Sequence, residues 1–365
     1  MHKYKKTTEI LIALLVTMPF FDRALTYYFN IPSTYILSRL MLVIIPIWIL
    51  LLFRVNILTV NRPLLLYLFF IFIMVLYLPL NFTHGVLYTI GTIFVFLNLT
   101  AIYSIKNKIC ILNILKYILI IIIPFIFYNL FLSFDSVLYS TKHQFFGLNN
   151  NANILGEFLT FSLTIVLLTK GNINKYINLL ILLIILYLML ITISRATIIS
   201  SLPLLYLYIR NINIKYISIL TILCILVIYM YKDQLLIVEY FINRFIESDS
   251  REHGTMFDII IGNSFSPFGP NAFHYDMNEL GVISDNSYFH LLYNYGLLGI
   301  MYLIPFMYFY VVKKDNYLKI LALTFFFKAI FENIMSNVNN PYSLLILIVI
   351  FIFYNEISTF KRARA

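Results

Sequence analysis

Three arginines, Arg195, Arg244 and Arg251, stand in separate stretches of a largely apolar chain. The arginine guanidinium is a planar fork of donors that matches phosphate oxygens and stays charged. Arg195 falls between two apolar runs, at a depth where a charged group normally has a partner; the alternative is an arginine snorkelling to the headgroups. Arg244 and Arg251 are two helical turns apart and face the same way if a helix persists between them. Together the three would suit a lipid-linked phosphate or pyrophosphate. Asp285 precedes Asn286, Ser287 and an apolar run from Tyr288. Its carboxylate can cap that helix by accepting a backbone N–H or act as general base toward a sugar hydroxyl, and the two roles are compatible. His290 is either a satisfied buried histidine or a group that hydrogen-bonds substrate from within an outer cavity. Glu157 follows Asn149-Asn150-Asn151-Ala152-Asn153. These asparagines either bond sugar hydroxyls or form a polar turn that caps the next helix. Lys328 and Glu332, four residues apart inside a span, read as a structural intramembrane pair.

These residues need elements to carry them, and composition says which. Of the 365 residues 61% are hydrophobic and only 12% charged, with a mean hydropathy of +0.89. A soluble domain is about half apolar and about a quarter charged, so lipid must be the solvent for most of this surface. No polar stretch is long enough to bury a second core, and residues 1–365 read as a single integral membrane domain. A span needs about 20 apolar residues, and such runs give about twelve transmembrane helices. They lie near 8–21, 34–53, 63–80, 86–105, 109–132, 152–169, 176–193, 196–209, 216–231, 286–312, 317–335 and 342–357. The first resembles a signal peptide but lacks a small-residue cleavage site, and it reads as a retained span.

Orientation follows the Lys/Arg bias of short loops. With the N-terminus inside, every inner loop carries at least two basic residues, among them Arg54, Arg62, Lys106, Lys108, Lys170 and Lys175. The outer side keeps few, chiefly Arg23, Arg39, Lys142, Arg195, Lys232, Arg244 and Arg251. Both termini are therefore expected in the cytoplasm. Separating the seventh and eighth spans at Ser194-Arg195 is needed for this, because fusing them reverses every later loop. The net charge of +10 then reflects topology. Its scatter over many short loops excludes a nucleic-acid footprint. The two cysteines lie in apolar runs with no metal-ligand spacing around them, and no P-loop or GxGxxG motif is present. Prolines at 19, 46, 79, 124, 203 and 305 read as features of packed, kinked helices.

Residues 232–285 form a long extracytoplasmic loop, acidic on an otherwise basic chain. Leu235, Val238, Ile242 and Phe245 recur at helical spacing, so 234–247 is expected as an amphipathic helix on the membrane surface. Ser266-Pro267-Phe268-Gly269-Pro270-Asn271 imposes an irregular turn.

Four segments together resemble the O-antigen polymerase and ligase superfamily. Phe146-Gly147-Leu148-Asn149-Asn150-Asn151-Ala152-Asn153 is similar to that family's Asn-Pro-Asn turn, without the proline. Thr192-Ile193-Ser194-Arg195-Ala196-Thr197 is similar to its Ser-Arg boundary. Asn243-Arg244-Phe245 through Ser250-Arg251 to Pro267-Phe268-Gly269-Pro270 resembles its arginine-bearing outer loop and Pro-x-Gly turn. Asp285-Asn286-Ser287-Tyr288 with Tyr295-Gly296-Leu297-Leu298-Gly299 resembles its His-Asn-x-Tyr…Gly-x-x-Gly signature.

The likeness spans about residues 145–305. It implies a GT-C-like all-α polytopic fold in a bacterial inner membrane. The implied substrates are two undecaprenyl-pyrophosphate-linked glycans, donor and acceptor, which meet at the outer leaflet, with a chain-length regulator as a possible further partner. In that scheme Arg195, Arg244 and Arg251 neutralise the departing pyrophosphate and Asp285 serves the acceptor hydroxyl. Asn286, Tyr288, His290, Asn151, Asn153, Glu157 and the outer Arg39 are the candidates for substrate contact. Inversion is expected because no second nucleophilic carboxylate is apparent, and neither a metal nor a cofactor is expected. Asp285 stands where ligases place a histidine, which favours polymerase over ligase. A glycan flippase would spread ionisable residues through several mid-spans, whereas here they gather at the outer rim. Gly296 and Gly299 are expected to serve close helix packing.

Overall fold

A computed structural model describes residues 2–29, 36–54, 60–77, 82–134, 145–149, 151–192, 194–209, 288, 291, 296–312, 316–331 and 340–357. The expected span 216–231, the outer loop 232–285 with its amphipathic helix, and Arg244, Arg251, Asp285, Asn286, His290 and Glu332 lie outside the described residues.

The described chain is helical throughout. In order come α1 (His2–Phe29), α2 (Ile36–Phe53), α3 (Arg62–Tyr77), α4 (Phe82–Ile105), α5 (Ile111–Leu132), α6 (Ala152–Thr169), α7 (Lys175–Thr192) and α8 (Arg195–Ile209). After a 3-10 stretch (Gly296–Leu303) follow α9 (Ile304–Val312), α10 (Asn316–Phe331) and α11 (Pro341–Leu347), the last continuing as a π-helix (Ile348–Ile352). Among the described residues, four segments are long and apolar enough to cross a membrane: Thr89–Lys108, Ile111–Leu132, Ala152–Thr169 and Lys175–Thr192.

The helices answer to the apolar runs and depart from them where local chemistry differs. α1 outruns its apolar stretch at both ends; lysine is a good helix former, so the polar start does not stop it. Thr192 ends α7 and Arg195 opens α8, so two helices occupy the run that a single one would have fused. Pro19, Pro46, Pro124 and Pro203 lie inside helices. Pro305 is the second residue of α9, where the 3-10 stretch passes into the α-helix.

α6 stands at the centre: every residue from Leu155 to Thr169 is buried. Phe20 of α1 meets Phe158 and Phe161 at ring-centroid distances of 5.0 and 5.2 Å, and Phe21 meets Phe125 of α5 at 4.4 Å. A second aromatic cluster joins the C-terminal helices to α3. Phe306 stacks on Phe325 at 4.8 Å and meets Phe351 at 5.3 Å, while Phe70 meets Tyr302 at 5.0 Å. The outer helices instead expose apolar side chains, such as Leu51 at 72% and Phe131 at 71%, the surface expected against hydrocarbon.

Hydrogen bonds between helix ends sort the bundle into two ends. At one, Trp48 Nε1 donates to Thr8 Oγ1 (3.1 Å), and Glu9, nearly fully buried, accepts from Cys110 N (2.8 Å) and Asn113 Nδ2 (3.2 Å). Asn61 Nδ2 donates to the Phe351 carbonyl (2.6 Å), and Lys170 Nζ to the Tyr208 carbonyl (3.4 Å). Arg54, Arg62, Lys106, Lys108, Lys170 and Lys175 all belong to this end. At the other end, Ser38 N donates to Asp22 Oδ2 (2.8 Å) and Leu148 N to Asn129 Oδ1 (3.0 Å). The helices thus alternate in direction, and basic residues gather at one end.

Candidate functional site

The Asn-rich turn and the start of α8 are far apart in sequence and meet in the fold. Asn151 is the N-cap of α6; its Oδ1 accepts from Asn153 N at 2.8 Å, which satisfies one of the free N–H groups of the first turn. The capping role of this turn is therefore realised, and the Asn151 and Asn153 side chains stay exposed. Asn153 Oδ1 then accepts from Ser194 Oγ at 3.2 Å. Ser194 Oγ in turn receives Thr197 N at 3.4 Å and so holds the first turn of α8. Arg195 begins that helix and is described through its backbone alone.

The turn is anchored from behind. Asn129 Oδ1, on the last turns of α5, accepts Leu148 N, and Phe145 N donates to the Ile191 carbonyl at 3.2 Å. Gly147 has φ +50, and a Cβ there would run into Asn129 Oδ1; glycine is the residue that takes this conformation without strain.

One turn deeper, α6 and α8 come very close. A Cβ on Gly156 would overlap Thr197 Oγ1, so only glycine lets the two backbones approach this far. Beside it Glu157 is 5% exposed, and its Oε1 accepts from Asn340 Nδ2 at 2.8 Å. Asn340 Oδ1 caps α11 by accepting Ser343 N at 3.0 Å, with Pro341 at the first helical position. The start of α6 therefore meets the start of α8, through Ser194 and Thr197, and the start of α11, through Asn340 on the Glu157 carboxylate.

Of the other candidates, Tyr288 is half-buried and its hydroxyl donates to the Phe326 carbonyl of α10 at 3.1 Å. Arg39 is exposed on the first turn of α2. α1 stands between it and α6, since α1 packs on α2 and carries Phe20 against α6. A Cβ on Gly299 would lie 2.5 Å from the Leu291 carbonyl, eight residues away within the stretch expected as one span over 286–312, so that stretch is not one straight helix. Lys328 is fully buried on α10. Asn340 was absent from the sequence candidates, although Asn340-Pro341 carries a helix-start signal, an N-cap followed by proline. Gly156 and Thr197 gave no local signal, because a close helix approach leaves no mark on either helix alone. Among the described residues no group of His, Cys, Asp or Glu could hold a metal ion.

No family model, curated protein or solved structure matches the chain.

Proposed function

We propose that this chain is a multi-pass membrane glycosyltransferase that joins undecaprenyl-pyrophosphate-linked oligosaccharide repeat units into O-antigen or capsular polysaccharide at the outer leaflet. The observation that carries the reading is the Ser194 Oγ–Asn153 Oδ1 bond. It draws together two of the four segments on which the family resemblance rests, at the bundle end opposite the basic loops. In an ordinary positive-inside arrangement that end faces out of the cytoplasm, where lipid-linked glycans are presented.

On this reading the donor sugar leaves its own pyrophosphate. The acceptor hydroxyl attacks the anomeric carbon, the C–O bond to the pyrophosphate breaks, and the hydroxyl proton passes to Asp285. Arg195, Arg244 and Arg251 neutralise the charge that develops on the leaving diphosphate, aided by the positive starts of α6 and α8. With one carboxylate at the acceptor and none as nucleophile, the anomeric configuration inverts.

The test is genetic and biochemical. In a strain deleted for the gene, the wild-type chain should restore polymer, while Arg195→Ala and Arg251→Ala should leave single repeat units on the core with expression and topology unchanged. Full polymer from both variants would remove the diphosphate clamp. Bare core with long glycan stranded on undecaprenyl would make the enzyme a ligase instead. Asp285→Asn separates the roles of that residue, since asparagine still caps a helix: lost activity in a folded protein assigns proton transfer, and unchanged activity assigns capping.

A further inference from the structure

The four helices around the Asn-rich turn close on themselves: α6 packs on α8, α8 on α10, α10 on α11 and α11 on α6. In the closing contact Asn340 serves both sides at once. Its Oδ1 accepts Ser343 N at 3.0 Å and caps α11, while its Nδ2 donates to Glu157 Oε1 at 2.8 Å. Capping needs only the oxygen, which serine or aspartate would supply as well; the amide nitrogen is what asparagine adds, and Glu157 receives it. A carboxylate in turn is costly to bury, and a glutamine would accept the same proton. Both residues are nearly inaccessible, at 2% and 5% exposure, so neither is a surface group for a ligand. Glu157 stands one helical turn from Asn153 on the same face of α6 and next to Gly156, where α6 meets Thr197. The pair therefore lies directly behind the bond from Ser194 to Asn153.

We propose, resting on the glycan-joining reading, that Asn340 and Glu157 are positioning residues for the transfer site. Their bond closes the ring of four helices and fixes the angle at which the start of α8 meets the Asn-rich turn. Through the Ser194–Asn153 bond it sets where the backbone of Arg195 stands, and with it where the donor diphosphate is held. Without the bond α11 still has its cap, but α8 and α10 are free to shift against α6, and the two segments separate.

The experiment exchanges donor and acceptor in the full chain. Asn340→Asp keeps the cap oxygen, removes the amide donor and sets two carboxyl groups against each other. In Glu157→Gln/Asn340→Asp the bond is rebuilt in the reverse direction, from α6 to α11, with the same side-chain lengths. Two quantities are measured per amount of folded protein. One is the polymer made in the strain deleted for the gene. The other is the rate at which a short bifunctional thiol reagent links the two positions in an Asn153→Cys/Ser194→Cys background. Asn340→Asp should lower both about tenfold or more, since a misplacement of about 1 Å can cost about 100-fold in rate, and the double variant should restore both. Wild-type polymer from Asn340→Asp would overturn the proposal, and so would an unchanged linking rate or a double variant that fails to recover. A merely stabilising bond would change the amount of folded protein and leave both measurements per folded chain as they were. If the wild-type chain restores no polymer, the glycan-joining reading fails, and the linking rate still decides whether this bond sets α8 on α6. Should Asn340→Asp not fold, Asn340→Ser, which keeps the cap and adds no charge, takes its place with the same expected losses.

Discussion

Replacing Gly156 by alanine tests the packing that brings the Asn-rich turn to the start of α8. On helix propensity alone the change should stabilise α6 by about 0.5–1 kcal/mol. The tertiary structure reverses that sign. The added Cβ overlaps Thr197 Oγ1 and would lie 3.0 Å from Thr197 Cβ and 3.3 Å from Ser194 Oγ. Neither partner can retreat easily: Thr197 and Ser194 are 0% and 1% exposed, and both belong to the capped first turn of α8. Overpacking of this kind costs about 1–3 kcal/mol; with both partners held in place the upper part of that range, about 2–3 kcal/mol, applies, so Gly156→Ala should be destabilised by about 1–2.5 kcal/mol after the propensity gain is subtracted. Thr197→Ala should by itself be nearly neutral, because the Oγ1 it removes is buried without a hydrogen-bond partner among the described residues and leaving such a group unpaired is unfavourable. In the double variant the worst overlap is gone and most of the loss should be recovered, a coupling of about 1 kcal/mol or more. Reversible unfolding in mixed micelles, followed by circular dichroism as denaturing detergent is titrated in, measures all four corners of the cycle. If the two substitutions are additive, or if Gly156→Ala is as stable as the parent, α6 and α8 do not meet as described here.

Two further outcomes follow from other contacts. Gly147→Ala should lose about 1–3 kcal/mol in the same unfolding titration, since alanine is strained at φ +50 and its methyl group displaces the Asn129 side chain; a neutral result would mean that the turn is not held on α5. Glu157→Gln keeps an acceptor for Asn340 Nδ2 and should be mild, whereas Glu157→Leu leaves that amide unpaired and should be worse by about 1–3 kcal/mol; equal effects would show that the bond contributes nothing.

The sequence by itself determined the apolar, helical character of the chain and the positions of most of the described helices, because both follow from local properties; the run 286–312, expected as one span, instead gives a 3-10 stretch and a short helix among the described residues. An 18-residue apolar run with Asn151 before it and Lys170-Gly171 after it admits one set of bounds, and α6 occupies 152–169 as expected. Charge bias in short loops likewise separated α7 from α8 at Ser194-Arg195, and Asn151 was legible as a cap because capping is decided within one turn of chain. Tertiary structure alone decided which helix starts share a neighbourhood. Nothing near Glu157 points to Asn340, 183 residues on, and nothing in α6 states that Gly156 faces Thr197. In hydrocarbon most apolar faces are interchangeable partners, so helix-to-helix pairing rests on a few small and polar side chains whose complements lie elsewhere in the chain. The π-helix at Ile348–Ile352 was likewise not legible in the sequence. Its residues are ordinary apolar ones, and the bond from Asn61 to the Phe351 carbonyl crosses almost the whole length of the sequence.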